Sequence, residues 1–135
     1  MKELYLEIIT PSKIGYKGNV TSVTVPGALG NFQVLYNHAP IISALDIGEI
    51  KIEADGQKSI FATSGGTIEV ASNNIIILAE SLEKADEINV RRAEEAQERA
   101  KERLKRKSQA EIDDIRAELA LKRAINRLKV SKKII

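Results

Sequence analysis

The 135-residue chain has no cysteine and a single histidine, His38. The first absence excludes a disulfide framework and a thiolate metal site, and the second excludes a multi-histidine metal cluster. No run approaches the roughly 20 consecutive apolar residues of a membrane-spanning helix. Glu3 and Glu7 stand where the apolar centre of a signal peptide would lie. The expectation is a chain that works in an aqueous compartment. Its hydrophobic fraction of 43% supplies a core, and 30% charged residues supply a soluble surface.

Glycine and proline are absent from the second part of the chain: all eight Gly and all three Pro lie before residue 67. Charge divides in the same way. Residues 1–85 hold 6 Lys and 9 Asp/Glu, a net of −3, whereas residues 86–135 hold 15 Lys/Arg and 10 Asp/Glu, a net of +5. So abrupt a change in composition predicts two domains, 1–85 and 86–135.

The first domain reads as strands. Leu4, Leu6 and Ile8 fall on one face of an extended segment that ends at Thr10-Pro11-Ser12. Val20–Val25 is rich in β-branched residues and is expected to be broken by Pro26-Gly27. Gly48–Ala54 alternates, Asp55-Gly56 is a two-residue hairpin turn, and Lys58–Thr63 returns. Gly65-Gly66 turns into Thr67–Ala71, and Ser72-Asn73-Asn74 turns into Ile75–Ala79. That last run has no alternation and is expected to be buried on both faces. Short strands at this spacing predict an all-β sandwich or barrel.

From Asp86 onward Ala, Glu, Lys, Arg and Leu dominate, residues that lose little side-chain freedom in a helix. Glu87–Arg91, Glu95–Arg99, Glu102–Arg106 and Glu118–Lys122 are spaced as i,i+4 pairs. Ser108-Gln109-Ala110-Glu111 has the form of a capping box and divides the segment into helices over about 87–106 and 109–130. Ala93, Ala96, Ala100 and Leu104 line one helix; Ala117, Leu121, Ala124 and Leu128 line the other, with Ile112, Ile115 and Leu119 on a second stripe. Alanine seams let helices pack closely as an antiparallel α-helical hairpin but bury little area. Closure should therefore be worth only a few kcal/mol, and a partner offering more apolar surface would open it.

No catalytic constellation is present. His38 beside Pro40 reads as a structural hydrogen-bonder, and Gly27 and Gly30 read as turn formers because no helix follows to face an anion. The basic second domain interleaves its cations with carboxylates and has no aromatic residue to stack on a base. It suits an acidic protein surface better than nucleic acid.

Gly30-Asn31-Phe32-Gln33-Val34-Leu35-Tyr36-Asn37-His38-Ala39-Pro40, Ser64-Gly65-Gly66-Thr67-Ile68-Glu69-Val70 and the Arg116–Leu128 segment resemble, in order and spacing, three segments of the epsilon subunit of F-type ATP synthase. The resemblance implies a ten-stranded β-sandwich followed by a helical hairpin. It implies a non-catalytic central-stalk subunit on the cytoplasmic face of the bacterial plasma membrane, coupling ion translocation to ATP synthesis. The sandwich would bind the gamma subunit and the c-ring. Mobile helices would reach the alpha and beta subunits and inhibit ATP hydrolysis. Interface candidates are Asn31, Phe32, His38 and Pro40, with Arg116, Arg123 and Arg127 for an acidic helix of the beta subunit. A free-standing sandwich adaptor with a basic helical tail is the alternative reading of the residues.

Some relatives in that family bind ATP through an Ile/Leu-Asp-x-x-Arg-Ala motif. The equivalent set here is Ile88, Asn89, Arg92 and Ala93, supported by Glu83, Arg123 and Arg127, with Asn89 in place of the family's Asp. Loss of that charge implies weak binding of ATP as a regulatory ligand, and no cofactor is required. Ile112-Asp113-Asp114-Ile115-Arg116-Ala117 fits the pattern literally but lies on the other helix. Relatives often carry an acid where this chain has Asn31 and Gly where it has Gln33, so the c-ring-facing position keeps its polarity without its charge.

Overall fold

The computed structural model describes residues 2–105 and 111–133, apart from the side chains of 111–114. Ten strands are followed by two helices. In chain order the strands are β1 Leu4–Ile9, β2 Ile14–Val20, β3 Ser22–Gly27, β4 Gly30–Val34, β5 Ile41–Leu45, β6 Gly48–Ala54, β7 Gln57–Thr63, β8 Gly66–Ala71, β9 Asn74–Ala79 and β10 Leu82–Lys84. A 3-10 turn at Ala85–Glu87 leads into α1, Val90–Lys105, and then α2, Glu111–Ser131.

Alternation explains why β1 packs as it does: Leu4, Leu6 and Ile8 are all fully buried. The Asp55-Gly56 corner has φ of 53° and 75°, the left-handed pair that the sequence signal requires. Ser72 and Asn73, at 50° and 62°, repeat that turn geometry between β8 and β9. Gly66 is obligatory, because a Cβ there would lie 1.9 Å from the Leu78 carbonyl oxygen at a φ of +150°.

The strands form one path, β10-β7-β6-β3-β5-β8-β9-β1-β2, with β4 on β3. All pairings are antiparallel except β1 with β9. The path folds over until its ends meet. Gly15 of β2 lies against Leu82 of β10, and Tyr16 packs edge-on to Phe61 at 6.4 Å. A sandwich closed almost to a barrel results, around a single apolar core.

Several expectations are corrected. β2, β4, β5 and β10 carry too few alternating apolar residues to stand out in sequence; Gly30, expected as a turn former, opens strand β4. Pro26 and Gly27 do not break β3 but complete it, because β4 folds back on them at Gly27↔Gly30. β9 is not buried on both faces: Ile75, Ile77 and Ala79 point inward, while Ile76 is 42% and Leu78 52% exposed.

The helices pack on each other through fully or nearly fully buried Ala93, Ala100, Ala117 and Ala124. Two-turn spacing within each pair lets the seams match along antiparallel axes. Val130 near the end of α2 joins Ile88, two residues before α1, which fixes that direction. Ala96 and Leu104 are half-buried, as are Leu121 and Leu128, so the seam is as lean as its composition implies. Among the described residues the helices' ion pairs are Arg91–Glu95 and Lys101–Glu98. Glu95 turns to Arg91 rather than Arg99, and Glu87 lies in the 3-10 turn rather than in α1. The Ser108–Glu111 capping box, the Glu102–Arg106 pair and Ile112 lie outside the described residues.

Candidate functional site

Three surfaces carry the residues of interest. The first is the junction between the helices and the sandwich. Asn126 donates from Nδ2 to the Gly48 carbonyl at 2.8 Å. Arg127 donates Nε and Nη2 to the two Glu83 carboxylate oxygens at 2.7 and 3.0 Å, a bidentate charge-assisted pair. Lys133 donates Nζ to Glu49 Oε2 at 2.7 Å. Between them Val130, fully buried, joins Ile60, Ala62, Ala85 and Ile88 in a small apolar cluster separate from the main core.

The nucleotide set implied by the sequence converges here only in part. Glu83 and Arg127 are joined to each other. Ile88 is buried in the small cluster and Ala93 in the helix seam. Asn89 caps α1: its side-chain oxygen accepts from the Arg92 amide at 3.0 Å, and its carbonyl accepts from the Ala93 amide. Arg92 and Arg123 are exposed. The cleft lined by Glu83, Arg123, Asn126 and Arg127 holds about 10 Å³, room for one water rather than the several hundred Å³ of a small-molecule site.

The second surface is the outer face of the sheet spanning β5, β8, β9, β1 and β2. Cross-strand register aligns Ala44, Thr67, Leu78, Ile9 and Ile14 in one row. Ile42, Glu69, Ile76, Glu7 and Lys17 form a neighbouring row. Ile14, Ile42 and Leu78 are 56%, 77% and 52% exposed. Residue-by-residue reading missed this face. Its one sequence signal was the unbroken apolar run of β9, a strand whose Ile75, Ile77 and Ala79 face the core while Ile76 and Leu78 are exposed.

The third surface is the β3–β4 tip and the loop after β4. Leu29 is fully exposed at the tip, beside exposed Asn31. Phe32 is partly core, its ring lying over Gly27 at a distance that leaves no room for a Cβ. His38 is half-buried, with its amide on the Leu35 carbonyl and Nδ1 2.7 Å from the Ala39 carbonyl, so the ring serves the shape of the loop. Pro40 is exposed. Asn37 and Asn73, both at positive φ, brace the loop against the β8–β9 turn: the Asn37 amide donates to Asn73 Oδ1 at 2.7 Å. On α2, Arg116 and Arg123 face solvent, whereas Arg127 is engaged with Glu83.

Comparison with known proteins agrees with this architecture. The beta-sandwich domain of the ATP synthase Delta/Epsilon chain matches residues 3–85, and the long alpha-helix domain of the same chain matches residues 86–132. The ATP synthase epsilon chain of Desulforamulus reducens is 42% identical over 126 residues, covering 93% of this chain and 95% of the relative. That of Bacillus licheniformis is 40% identical over 132 residues, covering 98% and 100%. A chain in the cryo-EM structure of the Euglena gracilis mitochondrial ATP synthase (OSCP/F1/c-ring) shares the fold, with a TM-score of 0.80 at 22% identity over 90% of this chain and 77% of its own. One in the central stalk/c-ring structure of the Tetrahymena thermophila enzyme does so with a TM-score of 0.71 at 16% identity over 97% of both. With both of its halves matched and relatives similar along nearly their whole length, the chain belongs to the ATP synthase epsilon chain family, a non-catalytic subunit of that complex.

Proposed function

We propose that the chain acts in the central stalk of a bacterial F-type ATP synthase, at the cytoplasmic face of the plasma membrane, where it couples ion translocation to ATP synthesis and restrains ATP hydrolysis through its helices. No described helix is long and apolar enough to cross a membrane; in this reading attachment runs through the complex. The outer face of the sheet carries this reading. Exposed Ile14, Ile42, Ile76 and Leu78 form a patch that water does not favour, and it suits the gamma subunit. The β3–β4 tip, with Leu29 and Asn31, is offered to the c-ring. Arg116 and Arg123 flank Ile115 and Leu119, which are 50% and 37% exposed. Cations beside exposed apolar side chains suit an acidic helix on the catalytic alpha/beta ring. Nothing in this role requires a cofactor. ATP would act as a regulatory ligand only after Arg127 leaves Glu83.

Leu78→Glu combined with Ile42→Glu tests the reading. Both side chains face outward, so the fold should persist by circular dichroism while co-purification with gamma, alpha and beta is lost. Normal assembly of that double variant would refute the assignment of the face. Removing residues 87–135 tests the helices: hydrolysis by the assembled complex should rise or stay level, and loss of assembly would contradict the division of labour. Recovery of partners other than ATP synthase subunits would favour the adaptor reading.

A further inference from the structure

The loop between β4 and β5 meets the turn between β8 and β9 through one pair of side chains. The His38 amide donates to the Leu35 carbonyl at 3.0 Å and closes a turn over Leu35-Tyr36-Asn37-His38. Its third residue, Asn37, has a φ of 65°, the left-handed conformation that a type II turn requires there. Asparagine tolerates that conformation, but glycine adopts it at less cost. What asparagine adds is a side chain. The Asn37 amide donates to Asn73 Oδ1 at 2.7 Å, and Asn73 Nδ2 donates in return to Asn37 Oδ1 at 3.3 Å. The far end of this pair is well anchored. The Tyr5 amide of β1 donates to the Asn73 carbonyl at 2.9 Å, and Asn74 Nδ2 donates to the Ser72 carbonyl at 3.1 Å. The near end is not: the His38 ring pairs with the neighbouring Ala39 carbonyl, inside the loop. Among the described residues, the two asparagines are the side-chain link between positions 36–39 and the sheet.

We propose that Asn37 and Asn73 are positioning residues, and that their pair holds the 35–40 loop in a preformed shape for docking on the gamma subunit. The loop runs into the outer face of the sheet. Ile41 pairs with Val70, so exposed Pro40 stands next in register to Ala71, two residues from Ile42. Ala71 continues across to Asn74 and Tyr5, a third row beside the two already described. Leu35 and Tyr36, in the turn that Asn37 completes, are 50% and 41% exposed. Apolar side chains on a loop bind best when the loop is ordered beforehand, because ordering it on contact subtracts from the affinity. This role rests on the reading of the outer face as the gamma-binding surface.

Asn73→Gly in the full-length chain separates the link from the turn. Glycine at a φ of 62° keeps the β8–β9 turn relaxed, so only the side chain is lost. The urea midpoint should hold while amide exchange at Asn37 and His38 accelerates. Affinity for an ATP synthase complex depleted of this subunit should fall about fivefold, the factor that two exposed hydrogen bonds supply at the low end of their net worth. Asn73→Asp keeps an acceptor for the Asn37 amide and should restore most of that affinity. Tyr36→Cys, in a chain with no other cysteine, can carry a photoreactive label, which should crosslink to gamma in the reconstituted complex. Unchanged exchange or unchanged affinity in Asn73→Gly, an equal loss in Asn73→Asp, or crosslinking to the c-ring instead of gamma would each overturn the proposal. Failure of the underlying reading is read separately: the Leu78→Glu, Ile42→Glu chain would then bind the depleted complex as tightly as the unaltered chain.

Discussion

Replacing Ala100 by leucine tests how tightly the two helices are held. Ala100 is 2% exposed, and the seam consists of four such alanines. Each buried methyl contributes roughly 0.8 kcal/mol, so the four together hold the seam by about 3 kcal/mol before the half-buried leucines are added. Leucine at position 100 adds three carbons to a position that is only 2% exposed, and overpacking of a buried site costs about 1–3 kcal/mol. The penalty is comparable to the whole of the alanine contribution. The distal half of the pair should therefore splay, while the end of α2 stays on the sandwich through Arg127 and Val130. Spin labels at Glu98 and Glu118 should report a longer, broader distance, and amide exchange should accelerate in the second half of α1. Exchange in the sandwich core around Leu6 and Ile77 should not change. Ala100→Gly provides a control of opposite sign in volume: a lost methyl and the helix penalty of glycine together cost about 2 kcal/mol, without forcing the axes apart. An unchanged Glu98–Glu118 distance with slower exchange in Ala100→Leu would refute the reasoning, since it would mean that the seam has room and is not close-packed.

Three further outcomes follow from particular contacts. Gly66→Ala should destabilise the chain by about 3 kcal/mol or more in urea titrations, because its Cβ meets the rigid Leu78 backbone at 1.9 Å and its φ is left-handed; a loss under about 1 kcal/mol would show that the start of β8 can shift away from the end of β9. Asn89→Ala should lower the stability of α1 by about 1 kcal/mol through loss of the cap, while Asn89→Asp should preserve or raise it, since a carboxylate favours a helix N-terminus whose first turn carries no acid; local amide exchange at Arg92 and Ala93 reads this out. The Tyr16 phenol is pushed above its ordinary pKa of 10.0 by burial first and by the nearby Asp55 charge second. Its neutral form is thus favoured by folding. The corresponding stability is complete below pH 10 and is lost as pH rises through the folded-state pKa. Tyr16→Phe should flatten the alkaline limb of a stability-versus-pH curve, and an equally steep limb in that variant would contradict the assignment.

Local chemistry made part of this molecule legible from its residues. Asp55-Gly56 produced its turn, Leu4-Leu6-Ile8 its buried face, and the glycine-free, alanine-rich segment its two helices, because each depends on dihedral preference or side-chain periodicity within a few residues. The three segments that resemble the epsilon subunit were legible for the same reason, since a motif is local. What pairs across the chain was not. Glu83 and Arg127, 44 positions apart, were both named for a nucleotide, yet in the fold each occupies the other. Ile76 and Leu78 have the composition of core residues, and only the packing of β9 between β8 and β1 decides that they point outward. Periodicity states that a strand has two apolar faces. Which face meets the core, and which is left exposed, is settled by where the rest of the sheet lies.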